Sequence, residues 1–109
     1  MSGRYRVLYT SHAIDDLRHI HEYVAVELRS PEAASKLLTK IRDDARSLER
    51  MPMRHPVARQ PSLAAKGIRQ MTVGSHVLLY HVDEGKGELT IVRVAYGSRD
   101  LGQIARELD

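Results

Sequence analysis

Imidazole, phenol and guanidinium groups concentrate in the C-terminal part of this chain, where His76, Tyr80, His81 and Tyr96 stand among Arg69, Arg93 and Arg99. Imidazole and phenol can take a proton from a 2'-hydroxyl and return one to a leaving oxygen, while guanidinium groups hold the phosphate between them. The set therefore contains the groups of a metal-free ribonuclease. The same residues also read as ordinary sheet residues, since a strand histidine is often a packing or surface residue and cations on sheet edges discourage edge pairing. Strand parity cannot be fixed from sequence, so convergence of the three arginines on one surface stays open at this stage.

The stretch that leads into these residues is unusual in charge. Between Arg50 and Val82 there is no Asp or Glu, yet Arg50, Arg54, Arg59, Lys66 and Arg69 are present with His55, His76 and His81. A carboxylate-free cationic surface suits an anionic partner, either nucleic acid or an acidic protein segment. Arg54, Arg59, Lys66, Arg69, Arg93 and Arg99 are its candidate contacts. His12, Asp16 and His19 share one face of the first predicted helix, but Asp15, Arg18 and Glu22 surround them. That face reads as solvated, and no metal or other cofactor is expected. Gly85-Lys86-Gly87 is a hairpin turn, with no strand-to-helix context for a phosphate loop.

The elements that must position these groups fit in one domain spanning residues 1–109, since 109 residues at 42% hydrophobic content provide for one core. With no Phe or Trp, aliphatic side chains and five tyrosines must build it. The absence of Cys excludes disulfides, thiolate zinc sites and a cysteine nucleophile. Net charge of +3 is moderate, and its segregation after Glu49 says more than its size. Neither a signal peptide nor a membrane span is expected, and the absence of Cys, Phe and Trp suits a cytoplasmic protein.

Tyr5 to Thr10 reads as a strand. Ser11 is the expected N-cap of a helix whose stripe is Ala13, Leu17, Ile20, Val24 and Leu28, with Asp15 and Asp16 in its first turn. Ser30-Pro31-Glu32 restarts the chain into a second stripe, Ala34, Leu37, Leu38, Ile41, Ala45 and Leu48. The short break forces an antiparallel helical hairpin. Prolines at 52, 56 and 61 break the next stretch into a loop, with one helical turn at Ser62 to Ala65. Three strands follow, Ile68 to Val73, His76 to Val82 and Leu89 to Tyr96, joined by tight turns. Val77-Leu78-Leu79 and Ile91-Val92 do not alternate, so both sheet faces need cover, and one hairpin covers only one. The other face is expected to meet a partner or the C-terminal tail, where Leu101, Ile104, Ala105 and Leu108 suggest a short helix. The fold class is thus α+β: an N-terminal strand, a helical hairpin, then a three-stranded antiparallel meander with a short C-terminal helix or tail.

In that order the chain resembles the RelE/ParE superfamily, the toxins of bacterial type II toxin-antitoxin pairs, from about Tyr5 to Leu101. The residues that carry the resemblance are Ser11 to Leu17 with Ile20, Tyr23 and Val24, then Leu48 through Pro52. Gly67-Ile68-Arg69, Leu79-Tyr80 and Val92 through Asp100 complete them. The resemblance implies a toxin neutralised by a cognate acidic antitoxin in a hetero-oligomer. RelE-like members cut mRNA in the ribosome with an Arg inside a Tyr-Arg-x-x-Tyr segment and a downstream Tyr. Here the segment is His76-Val77-Leu78-Leu79-Tyr80, so Val77 stands at the arginine position, and no Tyr follows Tyr96. The resemblance is closer to the ParE branch, which implies growth arrest by binding DNA gyrase without nuclease chemistry. An mRNA endoribonuclease using Arg69, His76, Tyr80, His81, Tyr96 and Arg99 is the alternative. A toxin-fold relic acting only as an antitoxin-binding co-repressor is the third reading.

Overall fold

The computed structural model describes residues 4–97 and 101–108. Strand β1 (Arg6–Tyr9) leads directly into helix α1 (Ser11–Glu22), which turns back through Tyr23–Glu27 into helix α2 (Pro31–Arg46). After a tight helical turn at Ser47–Glu49 comes the proline-broken loop, interrupted by the short helix α3 (Pro61–Ala65). Strands β2 (Arg69–Val73), β3 (His76–Asp83) and β4 (Glu88–Tyr96) form the meander, and helix α4 (Leu101–Leu108) closes the chain. The sheet order is β1-β4-β3-β2, with β1 parallel to β4 and the other pairs antiparallel.

The two faces of the sheet bury two separate cores. Met71, Val73, Leu78, Tyr80, Ile91 and Val94 meet Ala13 and Leu17 of α1 and Ile41 and Ala45 of α2 on one face. On the other, Val77, Leu79 and Ala95 meet Leu63, Ile68 and the α4 residues Leu101, Ile104 and Ala105. The unalternating run Val77 to Tyr80 is thus explained: each successive side chain enters a different core. The C-terminal helix supplies the cover that the helical hairpin cannot.

Local details differ from the sequence expectation in three places. The N-cap of α1 is Thr10, one residue before Ser11: its Oγ1 accepts the Ala13 N–H at 3.0 Å and donates to the Val92 carbonyl at 2.9 Å. With the helix starting at Ser11, Asp15 and Asp16 fall beyond its first turn. The stripe of α1 also ends early. Hydrogen bonding widens over Tyr23–Glu27, where the Leu28 N–H bonds the Tyr23 carbonyl, and Arg29 adopts a φ of 53° to reverse the chain. That extra residue rotates Leu28 out of the core, to 57% exposure beside exposed Tyr23 and Val26. Ser30 makes no side-chain cap bond to α2, whose start rests on Pro31.

Edge chemistry ties α1 to the sheet. Strand β1 pairs with β4 only from Glu88 to Ile91, so the following residues of β4 lose a strand neighbour. Thr10 Oγ1 bonds the Val92 carbonyl, and Asp16 Oδ2 accepts the Val94 N–H at 2.9 Å, replacing the missing ladder.

Candidate functional site

Of the cations in and beside the basic loop, Arg69 turns back onto the loop backbone. Arg69 Nη1 donates to the carbonyl oxygens of His55 at 2.6 Å and Met53 at 3.4 Å, which pins the loop to the start of β2. The Tyr80 hydroxyl, on a side chain with no exposed surface, donates to the Pro52 carbonyl at 2.8 Å. Burial pushes the Tyr80 phenol up, against the opposing pull of Arg69. Arg54 reaches His55 Nε2 at 3.3 Å and also bonds Ser47 Oγ. Arg59 and Lys66 are exposed at the two ends of α3.

Arg93 sits in a different environment. Its Nε and Nη2 clamp Asp16 at 2.8 and 3.1 Å, and its Nη1 bonds Glu107 of α4. Both partners of the Asp16 pair are only 13% exposed. The guanidinium is stabilised in its charged form first by the Asp16 hydrogen bonds, and the Glu107 carboxyl is held below the usual carboxylate range by Arg93. One arginine therefore joins α1, β4 and α4.

Register decides whether the arginines converge. Arg69 pairs with Tyr80 and Arg93 with Leu79, neighbours on β3 that enter opposite cores. Cross-strand partners share a face, so Arg69 and Arg93 leave the sheet on opposite sides. Arg99 lies outside the described residues. Of the proton-transfer candidates, His76 and Tyr96 are brought together: they are register partners, with ring centroids 5.4 Å apart in an edge-to-face arrangement. His81 is exposed and pairs with Thr90, away from them. His76 is buried with its Nδ1 unbonded, and burial pushes its imidazole pKa down. Among the described residues no group of three or more His, Asp or Glu is placed to hold a metal ion, and no helix is long and apolar enough to cross a membrane.

The buried imidazole has a consequence for stability. Between its lowered folded-state pKa and the ordinary value of 6.5, the unfolded chain binds more protons than the folded one. Stability is therefore retained above pH 6.5, falls as pH drops below it, and levels off under the folded pKa. His55, lowered by partial burial and by Arg54, adds in the same direction. Chemical denaturation from neutral to mildly acidic pH should show this loss, and His76→Phe should flatten it; an unchanged slope in the variant would refute the assignment to His76.

A sequence-family model described as the ParE toxin of the type II toxin-antitoxin system, parDE, matches residues 7–101. The chain belongs to the ParE toxin family. Among solved structures, it is similar to the chromosomal ParDE toxin-antitoxin system from P. aeruginosa, at a TM-score of 0.72 and 23% identity, covering 87% of this chain and 98% of that one. It is also similar to the toxin-antitoxin complex RelBE2 from Mycobacterium tuberculosis, at a TM-score of 0.65 and 25% identity, covering 88% and 94%. Comparison with curated protein sequences finds no match. This ParE-family chain thus has the strand, helical hairpin, meander and terminal helix of the superfamily. The site residue that sequence reasoning passed over is Asp16, set aside as part of a solvated face. No local signal marks it; only the early end of β1 makes an acceptor necessary there.

Proposed function

We propose that this type II toxin arrests growth by binding DNA gyrase and is neutralised by a cognate acidic antitoxin. The observation that carries this reading is the state of the groups that phosphodiester chemistry would need. Val77, at the position where RelE-like toxins have an arginine, is buried in the α4-side core. Arg69 is committed to loop carbonyls, Arg93 to Asp16 and Glu107, and the Tyr80 hydroxyl to Pro52. A reaction that must stabilise charge developing on a phosphate needs donors aimed at open space, and these are aimed at the protein. Arg54, Arg59, Lys66, Arg69, Arg93 and Arg99 remain the proposed partner contacts, and of those described Arg54, Arg59 and Lys66 are exposed.

One arrangement favours a second reading, a ribosome-dependent endoribonuclease. Exposed Tyr96 beside the unbonded His76 Nδ1 is a phenol-imidazole pair of the sort used to move protons. Purified chain assayed for inhibition of gyrase supercoiling and for cleavage of ribosome-bound mRNA separates the two. Inhibited supercoiling with intact mRNA is expected; cut mRNA with normal supercoiling would reverse the order, and neither activity would leave a partner-binding relic.

A further inference from the structure

The far end of α2 gathers guanidinium groups that neither the sheet nor the loop backbone uses. The buried stripe of this helix runs through Ile41, Ala45 and on to Leu48, and Arg42 and Arg46 directly follow the first two, so both stand on one margin of the stripe. That margin faces β1: burial raises the Tyr9 phenol, and Arg42 and Arg46 are the two charges that pull it down. Beyond Arg46 the Tyr5 N–H bonds the Glu49 carbonyl at 2.9 Å, which brings Arg4 to the helix end. There Arg4, Arg46 and Arg50 line one open cleft of about 440 Å³ with Asp43, Ser47 and Glu49. Arg54 joins them through its bond to Ser47 Oγ. All five arginines are exposed. Arg4, Arg42, Arg46 and Arg50 make no hydrogen bond or ion pair with any described residue, unlike Arg69 and Arg93. The helix dipole favours a cation in the last turn, which accounts for Arg46 alone.

The structure assigns this arginine strip to the phosphate backbone of duplex DNA. Arg42 and Arg46 are separated by four residues of helix, a rise of about 6 Å, close to the ~7 Å of duplex axis that two phosphate steps along one strand cover. A guanidinium fork holds a phosphate through two parallel hydrogen bonds, and forks without a partner break no existing contact to do so. Asp43 and Glu49 border the same cleft and repel phosphates, so the backbone must pass along the arginine side. An acidic peptide fits less well, because this cleft offers no apolar side chain for it to anchor on. A single strand fits less well too: base stacking needs an open aromatic platform, and Tyr5 and Tyr9 beside the strip are partly buried. Contacts to the backbone alone read no sequence, so binding is sequence-independent. The assignment stands apart from the gyrase reading, since the ligand of the strip is the duplex itself.

The test is titration of the folded full chain against a fluorescently labelled DNA duplex of mixed sequence, without gyrase, over a series of salt concentrations. The logarithm of the binding constant should fall linearly with the logarithm of salt, with a slope of about −4 for some four or five neutralised phosphates. Arg46→Gln and Arg50→Gln should each make that slope shallower by about 1 and weaken binding several-fold at low salt. Arg59→Gln in the basic loop and Lys36→Gln near the start of α2 change net charge equally and should leave the slope as it is. All four positions are exposed, and circular dichroism confirms that each variant folds. Equal losses in the control and strip variants would reduce the effect to net charge and overturn the proposal. So would a wild-type chain that leaves the duplex unbound at low salt, or tighter binding to single-stranded DNA or RNA of the same sequence. Polyglutamate that binds as tightly as the duplex at equal charge would overturn it as well. Supercoiling inhibition is measured in a separate assay, so a failed gyrase reading is distinguishable from a misassigned strip.

Discussion

Asp16→Ala should be among the most destabilising single changes outside the hydrophobic cores, at about 2–3 kcal/mol, which lowers the melting temperature by roughly 10–20 °C in a domain of this size. The change removes two charge-assisted hydrogen bonds to Arg93 and the acceptor for the Val94 N–H at once. It also strands a guanidinium that is only 13% exposed, leaving Glu107 as its sole carboxylate among the described residues. Asp16→Asn keeps an oxygen for Val94 and should lose less. Combining Asp16→Asn with Arg93→Met removes the stranded charge, so the double variant should be more stable than the sum of the single effects implies. Thermal melts of the wild type, Asp16→Ala, Asp16→Asn, Arg93→Met and the double variant measure this. A shift of under about 2 °C for Asp16→Ala would show that solvent already screens the pair and that water completes the β4 edge.

That prediction depends on a contact which the sequence does not announce, and the reason is physical. Helix stripes and strand runs are local: Ala34, Ile41, Ala45 and Leu48 recur at the helical period and are all buried, and Val77 to Tyr80 announces a strand covered on both faces. Caps and edges depend on where other strands stop. Thr10 and Ser11 are adjacent hydroxyl residues, and Thr10 becomes the cap because its N–H is held by Ile91 and its Oγ1 by Val92, far along the chain. The widened turn at Tyr23–Glu27 similarly answers the need to reverse into α2, which no stripe encodes.

The placement of charge was legible only in part. The absence of carboxylates from Arg50 to Val82 correctly marks a cationic loop, but not where its guanidinium groups go. Arg69 turns back because a proline-broken loop leaves backbone carbonyls that require donors, and Met53 and His55 present theirs to β2. Arg69 and Arg93 separate to opposite faces through register, with an irregularity between Leu79 and Tyr80, and register is a property of paired strands.

Expression of the chain alone should stop growth, and individual changes of the proton-transfer candidates should leave that arrest largely intact. If phosphodiester cleavage were the activity, losing a positioned acid or base should cost roughly two to four orders of magnitude in rate. Loss of the arginine replaced by Val77 should already have cost roughly two to three. Tyr96→Phe keeps the ring against His76 and removes only the titrating hydroxyl. His81→Gln alters an exposed residue, and His76→Gln removes the imidazole at a buried position whose fold is checked by circular dichroism. At matched soluble levels each variant should arrest growth within a few-fold of the wild type, and mapped mRNA ends in the arrested cells should show no codon phasing. By contrast, Arg59→Glu combined with Lys66→Glu, which reverses charge at exposed loop positions, should relieve arrest by weakening the encounter with an anionic target surface. Codon-phased ends that vanish with Tyr96→Phe or His76→Gln would make the edge-to-face pair a catalytic one. Gyrase binding would then no longer explain the toxicity, because a protein that acts by occupying its target does not need a titrating phenol.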